Sequence, residues 1–172
     1  MHCKKLLIAC SIASTALAKD TVAPILDDMA GIMEELNELV MDWDGGASGV
    51  SPMLAKAGKL PSVFGDGIKL ALAPASTSSN DDYQERLDAL KSFATGVHTC
   101  TDTAYNKKAK FKTLPSYVKP VFTAALTGIT LAFEPLKGGI MGAAPATYKN
   151  AAQEPLSQIS DDIERGTKLF QQ

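Results

Sequence analysis

Residues 22 to 43 carry apolar side chains at Val22, Ile25, Leu26, Met29, Ile32, Met33, Leu36, Val40 and Trp43. The steps of three and four are the spacing of one helix face. The other positions hold Asp27, Asp28, Glu34, Glu35, Asn37, Glu38 and Asp42, and the run stops at Asp44-Gly45-Gly46. One side of this helix is almost wholly apolar and bears no catalytic group. Such a face must be covered by another helix, a lipid or a surface.

The rest of the chain repeats the pattern. A loop at Gly45, Gly46, Gly49 and Pro52 leads to a broken helical stretch over 51–73, interrupted around Pro61 and Gly65-Asp66-Gly67. A small polar linker spans 74–79. The next helix starts near Asn80, capped by Ser79 or Asn80, with Asp81 and Asp82 suited to its first turn. Its stripe is Tyr83, Leu87, Leu90, Ala94, Val97 and Cys100 or Thr101, and it continues through Ala104 toward Phe111. Lys107, Lys108 and Lys110 are placed to complement its C-terminal dipole. Leu114-Pro115 opens a further helix with the face Val118, Val121, Phe122, Ala125, Leu126, Ile129 and Phe133, and Pro120 falls in its first turn or bends it. Gly138 to Pro145 reads as a break. The last helix covers 146–170, with Tyr148, Leu156, Ile159, Ile163, Leu169 and Phe170 inward and a kink at Pro155. No strand alternation competes. The chain is expected to be all-α, an antiparallel bundle of about five amphipathic helices.

The first residues read as a secretory signal over 1–18: Lys4 and Lys5, an apolar run from Leu6 to Leu17, and Ala16-Leu17-Ala18 as the cleavage site before Lys19. A lipoprotein box ending in Cys10 fits worse, because it leaves about three apolar residues where about 7–15 are usual. Residues 19–172 then form one domain, long enough for a real core. Removal of Lys4 and Lys5 leaves 15 of the 17 basic residues against 19 acids, so the net charge of −2 becomes −4. No basic footprint for nucleic acid is present. No later apolar run reaches the roughly 18 residues of a membrane span, and the C-terminus lacks the tail of a lipid-anchor signal. The mature protein is therefore expected outside the cell. Cys100 is its single cysteine, so no intramolecular disulfide forms. No Asn-x-Ser/Thr acceptor occurs. Ser76-Thr77-Ser78-Ser79 reads as a flexible loop before it reads as an O-glycan site.

Nothing points to catalysis. The mature chain has one histidine, His98, two residues from Cys100 and hence on a different helix face. Ser48 lies in Gly-Ala-Ser-Gly after a helix, which is not the strand-to-helix turn of a hydrolase nucleophile. The doublets Asp27-Asp28, Asp81-Asp82 and Asp161-Asp162 diverge by about 100° along a helix, make poor chelates, and read as solvated or helix-start charge. Histidines and cysteines are too few for zinc, and the glycine loop lacks a phosphate-loop ending. No enzyme activity, cofactor or metal is expected.

What remains is apolar and soft. Met29, Met33, Met53 and Met141 are adaptable side chains, aromatics are few, alanine and glycine are many, and prolines interrupt several segments. Small residues and broken helices tend to leave space between helices. The inner-face residues proposed to meet an apolar ligand are Met29, Met33, Leu36, Val97, Phe122, Leu126, Ile129, Ile159 and Ile163. The alternative is a closed core, with function on the acidic surface or the glycine-rich loops.

Four segments resemble the fungal hydrophobic surface-binding protein A family, which includes cell-wall galactomannoproteins. They are Ile25-Leu26-Asp27-Asp28-Met29-Ala30-Gly31-Ile32 with Leu36, Leu39 and Val40; the Trp43-Asp44-Gly45-Gly46 turn; Lys107-Lys108 followed by Phe111; and Leu156 to Phe170. The chain has more prolines and lysines than a usual member and lacks the long Ser/Thr tail of some. The resemblance implies a secreted or wall-associated, non-enzymatic helical bundle. Its expected partners are a fatty acid, another apolar ligand or a hydrophobic surface. A secreted esterase recruited to such a surface, or a host protein, is a further implied partner. The family supplies no carboxylate-binding residue that maps onto this chain.

Overall fold

The computed structural model of the chain describes residues 22–71, 80–116, 118–142 and 144–171. The signal segment, the 74–79 linker, the Asn80 cap and the side chain of Phe170 lie outside what is described. Helix α1 spans Val22–Asp42, followed by a 3-10 turn at Ala47–Gly49, α2 (Val50–Ala57), α3 (Leu60–Ala71), α4 (Asn80–Asn106), α5 (Lys108–Lys112), α6 (Lys119–Gly142) and α7 (Ala146–Gln171). No strand occurs among the described residues. The all-α expectation holds.

Helix α1 ends where its sequence says. Gly45 takes φ 103°, the left-handed conformation a side chain would strain. The Trp43 indole N–H donates to the Gly46 carbonyl at 2.7 Å, and the Gly46 N–H donates to Asp44 Oδ1 at 2.7 Å. The lysines expected to cap their own helix do something else. Lys107 and Lys110 donate to the Trp43 carbonyl at 2.9 and 3.2 Å, and Lys107 also reaches the Met41 carbonyl. They complement the C-terminal dipole of α1, because the chain turns at Lys107 and brings α5 over that end.

Two of the expected breaks are absent. Gly65-Asp66-Gly67 lies inside α3, and α6 runs on through Gly138 to Gly142. Gly67 is there for contact: a Cβ on it would lie 3.0 Å from Leu136 Cδ1 and 3.3 Å from Ile25 Cγ2. The actual interruption falls at Gly58-Lys59, between α2 and α3. Pro61 and Pro120 each occupy the first turn of a helix, where the missing N–H would have had no partner. Pro135 and Pro155 sit inside α6 and α7, which continue past them. Val121, assigned to the inner face, is 48% exposed, whereas Phe93, absent from the expected stripe, is buried.

Neighbouring residues set the directions. Gly96 lies against Met33 and Lys107 against Met41, so α1 and α4 run the same way. His98 pairs with Asp162 and Asp102 with Arg165, so α4 and α7 do too. Phe64 meets Phe133 while Gly67 meets Leu136 and Ile25, which sets α3 along α6 and against α1. The long helices alternate up and down along the chain. In space they close a ring in the order α1, α4, α7, α6, α3 and back to α1.

The buried apolar side chains fall into two clusters. The larger fills the ring and includes Leu26, Met29, Phe64, Leu90, Phe93, Phe133, Leu136, Leu156 and Ile159. The smaller lies at the C-terminal end of α1 and gathers Val40, Trp43, Val50, Met53, Phe111, Leu114, Val118, Phe122 and Leu169. A compact domain of this size usually has one contiguous core.

Candidate functional site

The space at the junction of the two clusters is a cavity of about 110 Å³. Every described helix contributes to its wall. Met33, Leu36 and Val40 come from α1, Met53 and Ala57 from α2, and Leu60 and Phe64 from α3. Phe93, Val97, Cys100, Thr101 and Ala104 come from α4 and Phe111 from α5. Helix α6 supplies Phe122, Ala125, Leu126 and Ile129, and α7 supplies Asp162, Ile163, Gly166 and Leu169. The hole follows from side-chain size. Ala57, Ala104, Ala125 and Gly166 face positions where a larger residue would join the clusters, and rigid helices do not collapse onto the gap. An apolar cavity of about 150 Å³ stays dry and accepts a benzene-sized guest. The present cavity thus has room for a short run of hydrocarbon, and Met33 and Met53 are the flexible parts of the wall that a longer chain would displace.

Among the proposed inner-face residues, Met33, Leu36, Val97, Phe122, Leu126, Ile129 and Ile163 line this cavity. Met29 and Ile159 do not: both are fully buried in the larger cluster. They share the apolar faces of α1 and α7 with lining residues but sit further along the helix, where the ring is closed. The missed lining residues include Phe64 and Met53, in the stretch read as broken, and Phe93, whose place on the apolar side of α4 was legible.

A polar seam joins α4 to α7 beside the cavity. Asp162, only 4% exposed, is not the solvated charge its doublet predicted. Its Oδ2 lies 2.9 Å from His98 Nδ1 and its Oδ1 accepts from Arg165 at 3.3 Å. Arg165 also pairs with Asp102, and His98 Nε2 lies 3.5 Å from Asp102. The Arg165 guanidinium stacks 4.9 Å over the Tyr105 ring, and the Tyr105 hydroxyl donates to the Arg165 carbonyl at 3.1 Å. The hydrogen bond from Arg165 holds the Asp102 carboxyl below the usual carboxylate range, and the same bond raises Arg165. The pairing is structural: a carboxylate buried on the inner side of α7 must be compensated.

The seam does not activate a nucleophile. Cys100 lines the cavity, and burial pushes its thiol up to about 12, which keeps it protonated and unreactive. Ser48 is exposed on the 3-10 turn. Among the described residues no group of three or more His, Cys, Asp or Glu side chains gathers to hold a metal. No described helix is long and apolar enough to cross a membrane.

The all-α ring of helices is a fold that solved structures share. AfMp4p in complex with palmitic acid superposes with a TM-score of 0.77 at 19% identity, over 87% of this chain and 97% of that one. Ligand binding domain 1 of the Penicillium marneffei MP1 protein, complexed with arachidonic acids, gives 0.76 at 14% identity, over 88% and 99%. Domain 2 of the same protein, complexed with multiple arachidonic acids, gives 0.65 at 15% identity, over 90% and 97%. At such identities the likeness establishes the fold. No protein-family model matches the chain, and no curated protein matches it in sequence.

Proposed function

We propose that the protein is a non-enzymatic binder of fatty acids or similar apolar chains, taken up by the cavity between the two core clusters. The observation that carries this reading is the divided core: an apolar space at the junction of seven helices, lined by side chains a compact bundle would bring together. The fatty-acid complexes of the structures with this fold support it. The energetics allow it. A 14-carbon tail at about 0.8 kcal/mol per CH₂ corresponds to on the order of 11 kcal/mol gross, against association costs of roughly 4–15 kcal/mol. The cavity is preformed for a short run of that chain, and the rest requires displacement of flexible wall residues such as Met33 and Met53. The rival reading, an interaction protein with a closed core, predicts that no lipid adduct forms.

The wider setting is part of the same proposal. The signal-like segment over 1–18 and the resemblance to the hydrophobic surface-binding protein A family support secretion, or residence at a fungal cell wall. They also support adsorption to hydrophobic surfaces and recruitment there of a secreted esterase or a host protein.

Native mass spectrometry of residues 19–172 after incubation with palmitic acid tests the central claim. A one-to-one adduct is expected, and Ala125→Phe, which fills the cavity from α6, is expected to abolish it without loss of helicity. If wild type takes no adduct and does not coat a hydrophobic bead, the proposal fails. Trp43 is already buried and touches Phe111, a lining residue, with ring centroids 4.5 Å apart. A ligand in the cavity is therefore expected to change the intensity of the Trp43 emission.

A further inference from the structure

The cavity is smaller than the ligand it is proposed to take. A cavity of about 150 Å³ accepts the six carbons of benzene, so one of about 110 Å³ takes no more than that, and about ten carbons of a C16 chain lie elsewhere. A surface groove of about 400 Å³ runs between α6 and α7, lined by Leu131, Phe133 and Ile163 with Thr127, Thr130 and Thr167. Its back is the cavity wall. Leu126, Ile129 and Gly166 line the cavity, and the next residue along in each case, Thr127, Thr130 and Thr167, lines the groove. Ile163 belongs to both linings. One turn from Ile163, a Cβ built on Gly166 would meet nothing within 4 Å, so the seam has free space beside it. The groove is also more apolar than its residue types suggest. Thr127, Thr130 and Thr167 donate their hydroxyl protons to the carbonyls of Thr123, Leu126 and Ile163 at 2.8, 3.0 and 2.9 Å, and Ser160 donates to that of Leu156 at 3.1 Å. Each proton is spent on its own helix, which leaves the threonine methyls as what these residues offer a neighbour. Leu131, 70% exposed, adds apolar surface at the rim.

We infer that a long acyl chain whose methyl end fills the cavity passes Ile163 and continues along the groove between α6 and α7, so that cavity and groove together are the ligand site. The inference rests on the apolar-ligand reading and extends that same site to the outside of the bundle. Displacing Met33 and Met53 enlarges the cavity inward, at the expense of packing in the core. Displacing Ile163 joins it to space that is already there. Carbons lying in the groove cover Leu131 and the threonine methyls, and the gain follows the apolar area removed from water. Glu134 and Glu164 also line the groove, and an ionised carboxylate desolvated beside them is disfavoured, so the head group stays in water at the rim. The ligand class is a single-chain lipid longer than the cavity.

Photolabelling locates the two ends of the chain. Two palmitate analogues, one with a diazirine near the methyl end and one with it near the carboxyl end, are bound to residues 19–172, irradiated and mapped by peptide mass spectrometry. The methyl-end probe is expected to label residues that line the cavity, and the carboxyl-end probe to label 127–134 of α6 and 160–167 of α7. Leu131→Asn, at an exposed position, is expected to weaken palmitate at least about threefold and to leave the ligand-free melting temperature unchanged. Carboxyl-end label on α1 and α2 around Met33 and Met53, or anywhere else outside the groove, overturns the inference. So does a Leu131→Asn variant that binds palmitate as tightly as wild type. If Leu131→Asn lowers the melting temperature, the labelling alone decides. In each of these cases palmitate still binds and the apolar-ligand reading stands. If the wild type binds no palmitate, that reading falls and this one with it.

Discussion

Cys100 and Asp102 lie two residues apart on α4 and meet opposite environments. The Cys100 thiol is buried in the cavity wall and pushed up to about 12, so it should resist iodoacetamide at pH 8 while folded and react once the protein is unfolded. A non-reducing gel of the native protein should show a monomer band only. Asp102 is held low by its hydrogen bond from Arg165. A carboxyl depressed in the folded state stabilises the protein above its unfolded value of about 3.9, and that contribution is lost as the pH falls through the folded value. Thermal melts from pH 6 down to pH 2 should therefore show Asp102→Asn below wild type at pH 6 and converging on it at the acid end. At this level the sequence was a partial guide. It placed Cys100 on the inner face, yet it read Asp162 as a solvated charge. Its partners, His98 and Arg165, lie on another helix and one turn along, and pairing between helices is invisible in a single periodic stripe.

Helices were the most legible part of the chain, and their glycines the least. A glycine in a helix reads as a break from propensity alone, but α3 and α6 continue through theirs because neighbouring helices need the space or hold both ends. The structure separates glycines that are required from those that are not. A Cβ on Gly49 would collide with the Trp43 ring at Cδ1 and lie 3.1 Å from Nε1. Gly49→Ala should destabilise by about 1–3 kcal/mol and lower the melting temperature by several degrees. Gly31, inside α1, has nothing within 4 Å of its built Cβ. Gly31→Ala should stabilise by about 0.5–1 kcal/mol, read from the denaturant midpoint at constant slope. The turn at Trp43-Asp44-Gly45-Gly46 was legible because its chemistry is local. The role of Lys107 and Lys110 in capping α1 was not, since it depends on where α5 folds back.

For the molecule as a whole, the cavity makes a thermodynamic prediction. A ligand bound only by the folded bundle at one hundred times its dissociation constant adds about 2.7 kcal/mol of stability. For a domain of this size that is a rise of about 5–10 °C in melting temperature. Differential scanning of residues 19–172 with a soluble long-chain ligand should show it, and Ala125→Phe should not. An unchanged melting temperature at saturating ligand would mean that the occupied site is absent from the folded bundle. The seven proposed inner-face residues that line the cavity were accessible to periodicity, because a residue on an apolar face points into the bundle wherever its helix packs. Met29 and Ile159 show the limit: the same periodicity places them on the same faces, one or two turns from the gap, in solid core.

The amino-acid pattern is sufficient for the helices, their apolar sides and the all-α class, because these rest on spacing within about a turn or two of chain. The cavity rests on something spacing does not contain. It exists because Ala57, Ala104, Ala125 and Gly166, from four different helices, converge on one place in the ring. Likewise, the pairing of Asp162 with His98 across α4 and α7 is a fact about which helices meet. Local chemistry makes the walls of this protein; the relative placement of distant residues makes the space between them.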